Sequence, residues 1–514
     1  MLTPVLSQTE RVLSTIPSIS RTRWRSPRPW TRSEYLGKII PRHSTILDHK
    51  LPRTLTAAIC AGFLILGDAS SVHAQSVVDP STLENKFLFG YQGWFTSHLD
   101  GDPYSGPNKT DLHWATSGSG AMSPNNATVD FWPDTTAYPP NLLYPTGFTL
   151  PSGQTAMVYS AWNPGTVDLH FQWMQQYGID GVVLQEFVQN YLNSPVTLQE
   201  EIDQVALNVM ASAEKYGRVF SVGLDCSACT PATVVSSVET RWMHLVDDLK
   251  LTQSSAYLHH NGRPVVTVFA FGVANGANNI TSGGVATATQ VEELINWFHS
   301  DAPPQYQATI IGQTCVGWRT LGQGCLTDPA WTSVYNEYDV IQPWYVGAWA
   351  NLADADANWN HFIKGDIDQT KANGQGYMPT LWPGTSVSNL ERTIGKSYPL
   401  NQIPRLGGQF WWHQLYNYLG RDASHKITMA YGAMFDEVNE GTAMYKLAPA
   451  FNDVPQEAPA GFVYLGMPDS YSPIGYHLPS DWYLELANCG TLALHGHFVP
   501  TNTIPAAGVA PGCN

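Results

Sequence analysis

Two glutamates three residues apart, in Asp436-Glu437-Val438-Asn439-Glu440-Gly441-Thr442, directly follow an apolar, strand-like run from Ile427 to Phe435. Successive side chains of a strand alternate faces, so this pair converges only if Glu437 caps the strand and Glu440 lies in the turn beyond it. Convergent carboxyls suit the cleavage of a glycosidic bond: one carboxylic acid protonates the leaving oxygen, and a second carboxylate acts on the other side of the reacting centre. Two plainer readings stand beside it, an acidic surface turn and a calcium site built from Asp436, Glu437, Asn439 and Glu440. The spacing of a calcium loop is absent, which counts against the second.

In a barrel enzyme the carboxyl ends of the strands carry the chemistry, so the polar residues closing other apolar runs matter too. Those residues are Glu186, Asp225, Gln313, Gln342, Asp436 and Glu437. Glu186, Asp225 and Asp436 are candidates to orient the pair or bind sugar hydroxyls, although an Asp at a strand end equally caps the following helix. Trp94, Trp114, Trp132, Trp344, Tyr345, Trp382, Trp411 and Trp412 fall near strand ends or in the first long loop. A flat ring suits the apolar face of a pyranose, while large aromatics also simply fill cores. His113 beside Trp114, and His413 beside Trp412, are either donors to hydroxyls or structural histidines. The substrate-binding set is thus Trp94, His113, Trp114, Glu186, Asp225, Trp344, Tyr345 and Asp436, around catalytic Glu437 and Glu440, with no metal and no cofactor required.

Eight short β-rich runs must position these groups: Phe87 to Gly93, Gly181 to Phe187, Val219 to Asp225, Pro264 to Phe271, Ala308 to Gln313, Val340 to Trp344, Tyr377 to Leu381 and Ile427 to Phe435. Between them, Thr166 to Tyr177, Leu198 to Tyr216, Thr233 to Leu249 and Thr289 to Phe298 repeat apolar residues at helical spacing. The alternation predicts an α/β chain folded as a (β/α)8 TIM barrel. Ser97 to Thr155, rich in Gly, Pro, Asn and Ser, reads as a long loop inserted after the first strand, where barrel enzymes wall their sites. Only Pro479 to Ala487 looks helical after Pro455, so 75–455 is expected to be the catalytic domain and 456–514 an appendage packed on it.

Residues 1–74 hold ten Lys or Arg against four acids and read as a basic segment with a secretory signal. Its apolar run from Leu55 to Leu66 precedes Val72-His73-Ala74, predicting cleavage after Ala74, secretion, and no stable membrane association afterwards. The remainder carries 16 basic and 38 acidic side chains, a formal charge of −22, without any clustered Lys or Arg. Such a surface repels nucleic acid and anionic membranes and leaves a neutral or cationic partner, such as an oligo- or polysaccharide. Six cysteines remain: Cys226, Cys229, Cys315, Cys325, Cys489 and Cys513. An even number in an exported chain predicts disulfides, proximity favouring Cys315 with Cys325 and Cys489 with Cys513; a redox or zinc role for Cys226 and Cys229 is the alternative. Asn108, Asn126 and Asn279 begin glycosylation sequons.

The stretch Asp436-Glu-Val-Asn-Glu-Gly-Thr442 resembles the Asn-Glu-Trp-His-Glu-Gly-Thr signature of glycoside hydrolase family 99, the endo-α-mannosidases, and of the wider family 71/99-like proteins. The passage from Tyr159-Ser-Ala-Trp-Asn-Pro through Tyr177-Gly-Ile to Gln185-Glu186 is similar to that group's Tyr-Ser-Ser, helix, Gly-Ile, strand region. Gly90-Tyr-Gln-Gly-Trp-Phe95 and His113-Trp114 resemble its aromatic first strand and following His-Trp. The resemblance implies a retaining hydrolase of an α-linked, α-mannan-like glycan working through a 1,2-anhydro sugar. Glu437 would be the base for the 2-hydroxyl and Glu440 the acid for the glycosidic oxygen. Asp436, Val438 and Asn439 stand where the family has Asn, Trp and His. The alternatives are a family 71-like α-1,3-glucanase and a barrel that binds carbohydrate without cleaving it.

Overall fold

The computed structural model describes residues 77–104, 106, 109–274, 284–507 and 513. The basic segment, the cleavage position after Ala74 and the sequons at Asn108 and Asn279 lie outside these residues. Strands form at each of the eight apolar runs, and the whole set in chain order is β1 (Lys86–Tyr91), β2 (Leu143–Thr149), β3 (Thr155–Tyr159), β4 (Gly181–Phe187), β5 (Val219–Asp225), β6 (His259–His260), β7 (Arg263–Phe269), β8 (Thr309–Thr314), β9 (Val340–Pro343), β10 (Gly376–Tyr377), β11 (Thr380–Leu381) and β12 (Met429–Gly432). The large sheet runs β10-β9-β8-β7-β5-β4-β1-β12-β11, with β6 added antiparallel to β7. Its other pairings are parallel, and β1, β5, β8, β9 and β12 are buried throughout, which is why these runs carry no charged residue besides Lys86 and Asp225 and lack a regular polar-apolar alternation.

The seventh run is interrupted at Pro379, which has no N–H to give to a ladder. Its first half, β10, pairs with β9, and its second half, β11, pairs with β12. Between them Met378 N donates to Ile341 O at 2.9 Å and Pro379 O accepts from Tyr431 N at 3.1 Å. One short segment therefore meets both edges of the sheet and closes the (β/α)8 barrel.

The helices are α1 (Pro164–Gln176), α2 (Val188–Asn193), α3 (Val196–Tyr216), α4 (Val234–Asp247), α5 (Ala288–Asn296), α6 (Trp331–Glu337), α7 (Leu352–Asn358), α8 (Lys364–Asn373), α9 (Ser388–Thr393), α10 (Gln409–Leu415) and α11 (Trp482–Leu494), of which α1, α3, α4, α5 and α11 lie on stretches that the periodicity predicts. Local chemistry sets their ends: Asn163 caps α1 ahead of Pro164, Gly217 closes α3 with φ 59°, and Thr287 and Gln290 form a capping box on α5. Among the described residues no helix is long and apolar enough to cross a membrane.

The loop after β1 is more ordered than its composition suggests, since it ends in the β2–β3 hairpin. It is also laced to the chain's last segment: Val463 N donates to Asp130 O at 2.7 Å, and Thr149 N to Glu457 Oε1 at 2.7 Å. Helix α11 presses on the barrel so closely that a Cβ on Gly490 would lie 2.6 Å from Phe87 and 2.7 Å from Trp411. Disulfides join Cys315 to Cys325 and Cys489 to Cys513, the pairings that proximity favours. Cys226 and Cys229 are buried and unbonded, with their sulfurs 2.6 Å apart.

Candidate active site

Beyond β12 the chain folds back on itself to present the two glutamates. Phe435 N donates to Gly90 O of β1, Thr442 N and Ala443 N donate to Glu437 O, and Met444 N and Tyr445 N donate to Phe435 O. Gly441 makes this return possible: its φ is 69°, and a Cβ there would come within 2.6 Å of Ser386 N. Ser386 N in turn donates to Glu440 O at 2.9 Å, while Asp130 N donates to Val438 O at 3.2 Å. The loop thus hangs from neighbours on both sides.

Glu437 is buried, and both of its oxygens accept: Oε1 from Gln92 Nε2 at 3.1 Å and Oε2 from the Thr442 hydroxyl at 2.7 Å. Burial and the adjacent Glu440 charge push its pKa up, and the Thr442 and Gln92 donors pull it back. Glu440 is partly exposed, and burial with the nearby Glu391 charge raises it to about 7. Two acids that repel each other hold one proton between them over a wide pH range, leaving one acid and one carboxylate. The Gln92 and Thr442 donors favour the charged form of Glu437, yet burial and the Glu440 charge outweigh them and leave its pKa well above the ordinary value.

Strand register sorts the remaining candidates. Phe187, Asp225, Phe269, Gln313 and Gln342 are neighbours across β4, β5, β7, β8 and β9, so their side chains share one face. Gln185 belongs to that face, and its amide donates to Asp225 Oδ2 at 3.0 Å. Phe187, Phe269 and Trp344 are partly exposed there, with Trp344 5.9 Å from Phe269 and 6.3 Å from Tyr431 between ring centres. Trp94 stacks on His113 at 4.4 Å and on Phe187 at 5.2 Å, so its indole is the middle of three parallel rings rather than an open platform. Burial lowers His113 to about 4, so this stack is uncharged at neutral pH. Gln92 Oε1 and both amide atoms of Gln342 are buried without a hydrogen-bond partner among the described residues.

Several expected substrate contacts are placed elsewhere. Glu186 alternates away from Gln185 and pairs outward with Arg241 of α4 at 2.7 Å. Tyr345 likewise alternates away from Trp344 and gives its hydroxyl to Asp366 of α8 at 3.0 Å. Trp114 is wholly buried, with its indole N–H donating to Tyr159 O at 3.0 Å. Asp436 is wholly buried and accepts from Gln92 N at 2.7 Å and Gly93 N at 2.9 Å, fastening the end of β1 to the glutamate loop; burial pushes it up to about 6. Asp225 combines its Gln185 contact with an acceptor role toward Ser227 N at 2.7 Å. His413 is tied to Asn502 and Asp356. Gln92, Gln185, Phe187, Phe269 and Thr442 were not singled out by sequence, although alternation from Glu186 would have pointed to Gln185 and Phe187. Among the described residues no group of three or more His, Cys, Asp or Glu side chains is arranged to hold a metal ion.

No protein-family model matches the chain, and no curated protein matches it in sequence. Two solved structures of the GH99 endo-alpha-mannosidase from Bacteroides thetaiotaomicron match it in three dimensions. One, in complex with bis-tris-propane, has a TM-score of 0.52 at 15% identity over 81% of this chain and 99% of that one. The other has a TM-score of 0.53 at 14% identity over the same shares, 81% and 99%. At such identity the likeness is one of architecture, and the fold of this chain is a GH99-like (β/α)8 barrel.

Proposed function

We propose that this chain is a glycoside hydrolase that cleaves an α-linked, α-mannan-like glycan with retention, using Glu437 and Glu440. The observation that carries the reading is the pair itself: two carboxyls on one loop at the barrel mouth, Glu437 accepting from Gln92 and Thr442, and both raised above the ordinary range by burial and a neighbouring carboxyl. The partly exposed rings of Phe187, Phe269 and Trp344 supply apolar faces for sugar rings.

In the first step Glu437 takes the proton of the sugar 2-hydroxyl, whose oxygen attacks the anomeric carbon. The bond to the leaving oxygen breaks as Glu440 gives that oxygen its proton, leaving a 1,2-anhydro sugar. In the second step Glu440 takes a proton from water, the water oxygen opens the three-membered ring at the anomeric carbon, and Glu437 returns its proton to the 2-oxygen. Two inversions give net retention. The first test is Glu437→Gln and Glu440→Gln, each expected to lower turnover by roughly 10² to 10⁴ with the fold and glycan binding intact. An activated leaving group should restore part of the first-step rate to Glu440→Gln alone. Near-normal turnover in both variants would dismiss the pair, and glycan binding without any cleavage by wild-type protein would make the barrel a lectin.

A further inference from the structure

We infer that Arg405 is a positioning residue for the Glu437–Glu440 loop, holding it from the side of the C-terminal helix α11; its catalytic part rests on the function proposed above. Arg405 is 6% exposed. Its Nη2 donates to Gly441 O at 2.9 Å and to Ala443 O at 2.6 Å. Those carbonyls flank Thr442, the residue whose hydroxyl holds Glu437, and the first of them directly follows Glu440. One guanidinium nitrogen therefore fixes the backbone just past the acid and on both sides of the group that orients the base.

The guanidinium is itself held between two rings, Phe131 at 4.4 Å and Tyr483 at 4.5 Å. Phe131 follows Asp130, which grips the same loop at Val438 O and also accepts from Ser386, Ser388 and Asn389. Tyr483 lies on α11, so the final segment reaches the glutamates through one side chain. No carboxylate pairs with Arg405 among the described residues; the Tyr483 hydroxyl is its other side-chain partner. A buried cation without a carboxylate partner is a costly way to fill space, and an aliphatic side chain of similar volume would serve stability better. Two carbonyls held at once by a flat, rigid donor is the advantage that offsets this cost.

The test compares Arg405→Met, which keeps bulk, Arg405→Lys, which keeps one charged donor, and Tyr483→Leu, which removes a supporting ring. Amide hydrogen exchange of residues 436–445 should quicken about tenfold in Arg405→Met while the barrel strands keep their protection. On a cleavable α-glycan, kcat should fall roughly 10- to 100-fold with KM little changed, since a small misplacement of reacting groups costs that much. Arg405→Lys should recover part of kcat, and Tyr483→Leu should show a weaker form of both effects. Unchanged exchange at 436–445 in Arg405→Met and Tyr483→Leu would overturn the inference whatever the activity. So would a loss of kcat that tracks loss of protection across the whole barrel, or Lys behaving no better than Met. Should Arg405→Met fail to fold, Tyr483→Leu and Arg405→Lys decide by the same exchange and kcat readings. If wild-type protein cleaves no α-glycan, the proposed hydrolase falls while the exchange experiment still judges the positioning role.

Discussion

Glu440 owes its raised pKa to burial first and to the charge of Glu391 second. As the acid, it must keep its proton, so activity should fall as pH rises past about 7. Removing the Glu391 charge weakens the repulsion and lowers the Glu440 pKa. Glu391→Gln should therefore move the alkaline limb of kcat/KM to lower pH, by about half a unit to one unit, with little loss near pH 5. A limb that stays in place would deny Glu440 the role of acid. The glutamates were legible as candidates because a strand-ending motif holds both in one chain segment. Their surroundings were harder to read, since a single residue of phase decides whether Gln185 or Glu186 faces the mouth, and an acidic residue draws the eye to the wrong one.

Helix α3 carries a displaced carboxyl of its own. Glu201 is buried beside the first long loop, and burial, with Asp102 nearby, raises it to about 8. Because its folded pKa lies above the ordinary value of 4.5, ionisation costs the folded state: the penalty is absent at low pH, grows between about 4.5 and 8, and then stays constant. Glu201→Gln should gain on the order of 1–3 kcal/mol at pH 9 and nothing at pH 4, a difference that thermal unfolding at the two pH values would measure. An equal shift at both would make its effect one of packing. At this scale the sequence was most informative where apolar runs were short and flanked by turns, and all eight barrel strands were found on that basis. It missed helices such as α10, whose seven residues are all buried and so show no polar face. It missed α8 for the opposite reason, since Lys364–Asn373 is largely polar.

At the scale of the molecule, two disulfides form among the described residues as spacing suggested, and Cys226 lies beside Cys229 after Asp225. If the chain is exported, thiol labelling of unreduced, denatured protein should find few or no free thiols and N-terminal sequencing should find a start near Gln75. Six reactive thiols or bound zinc would refute the first expectation, and a membrane-retained basic segment the second. What sequence did not show is how thoroughly the first loop and the last segment are sewn together through Asp130, because contacts more than three hundred residues apart leave no local pattern. The interrupted strand at Pro379 has its own consequence. Seven staves are joined along their length, whereas the eighth holds its neighbours by two residues on each side. The barrel is thus less a hoop than a curled sheet with a clasp, and on warming it should part there first, offering residues 376–381 to proteases while the opposite wall, β4 to β8, remains shut.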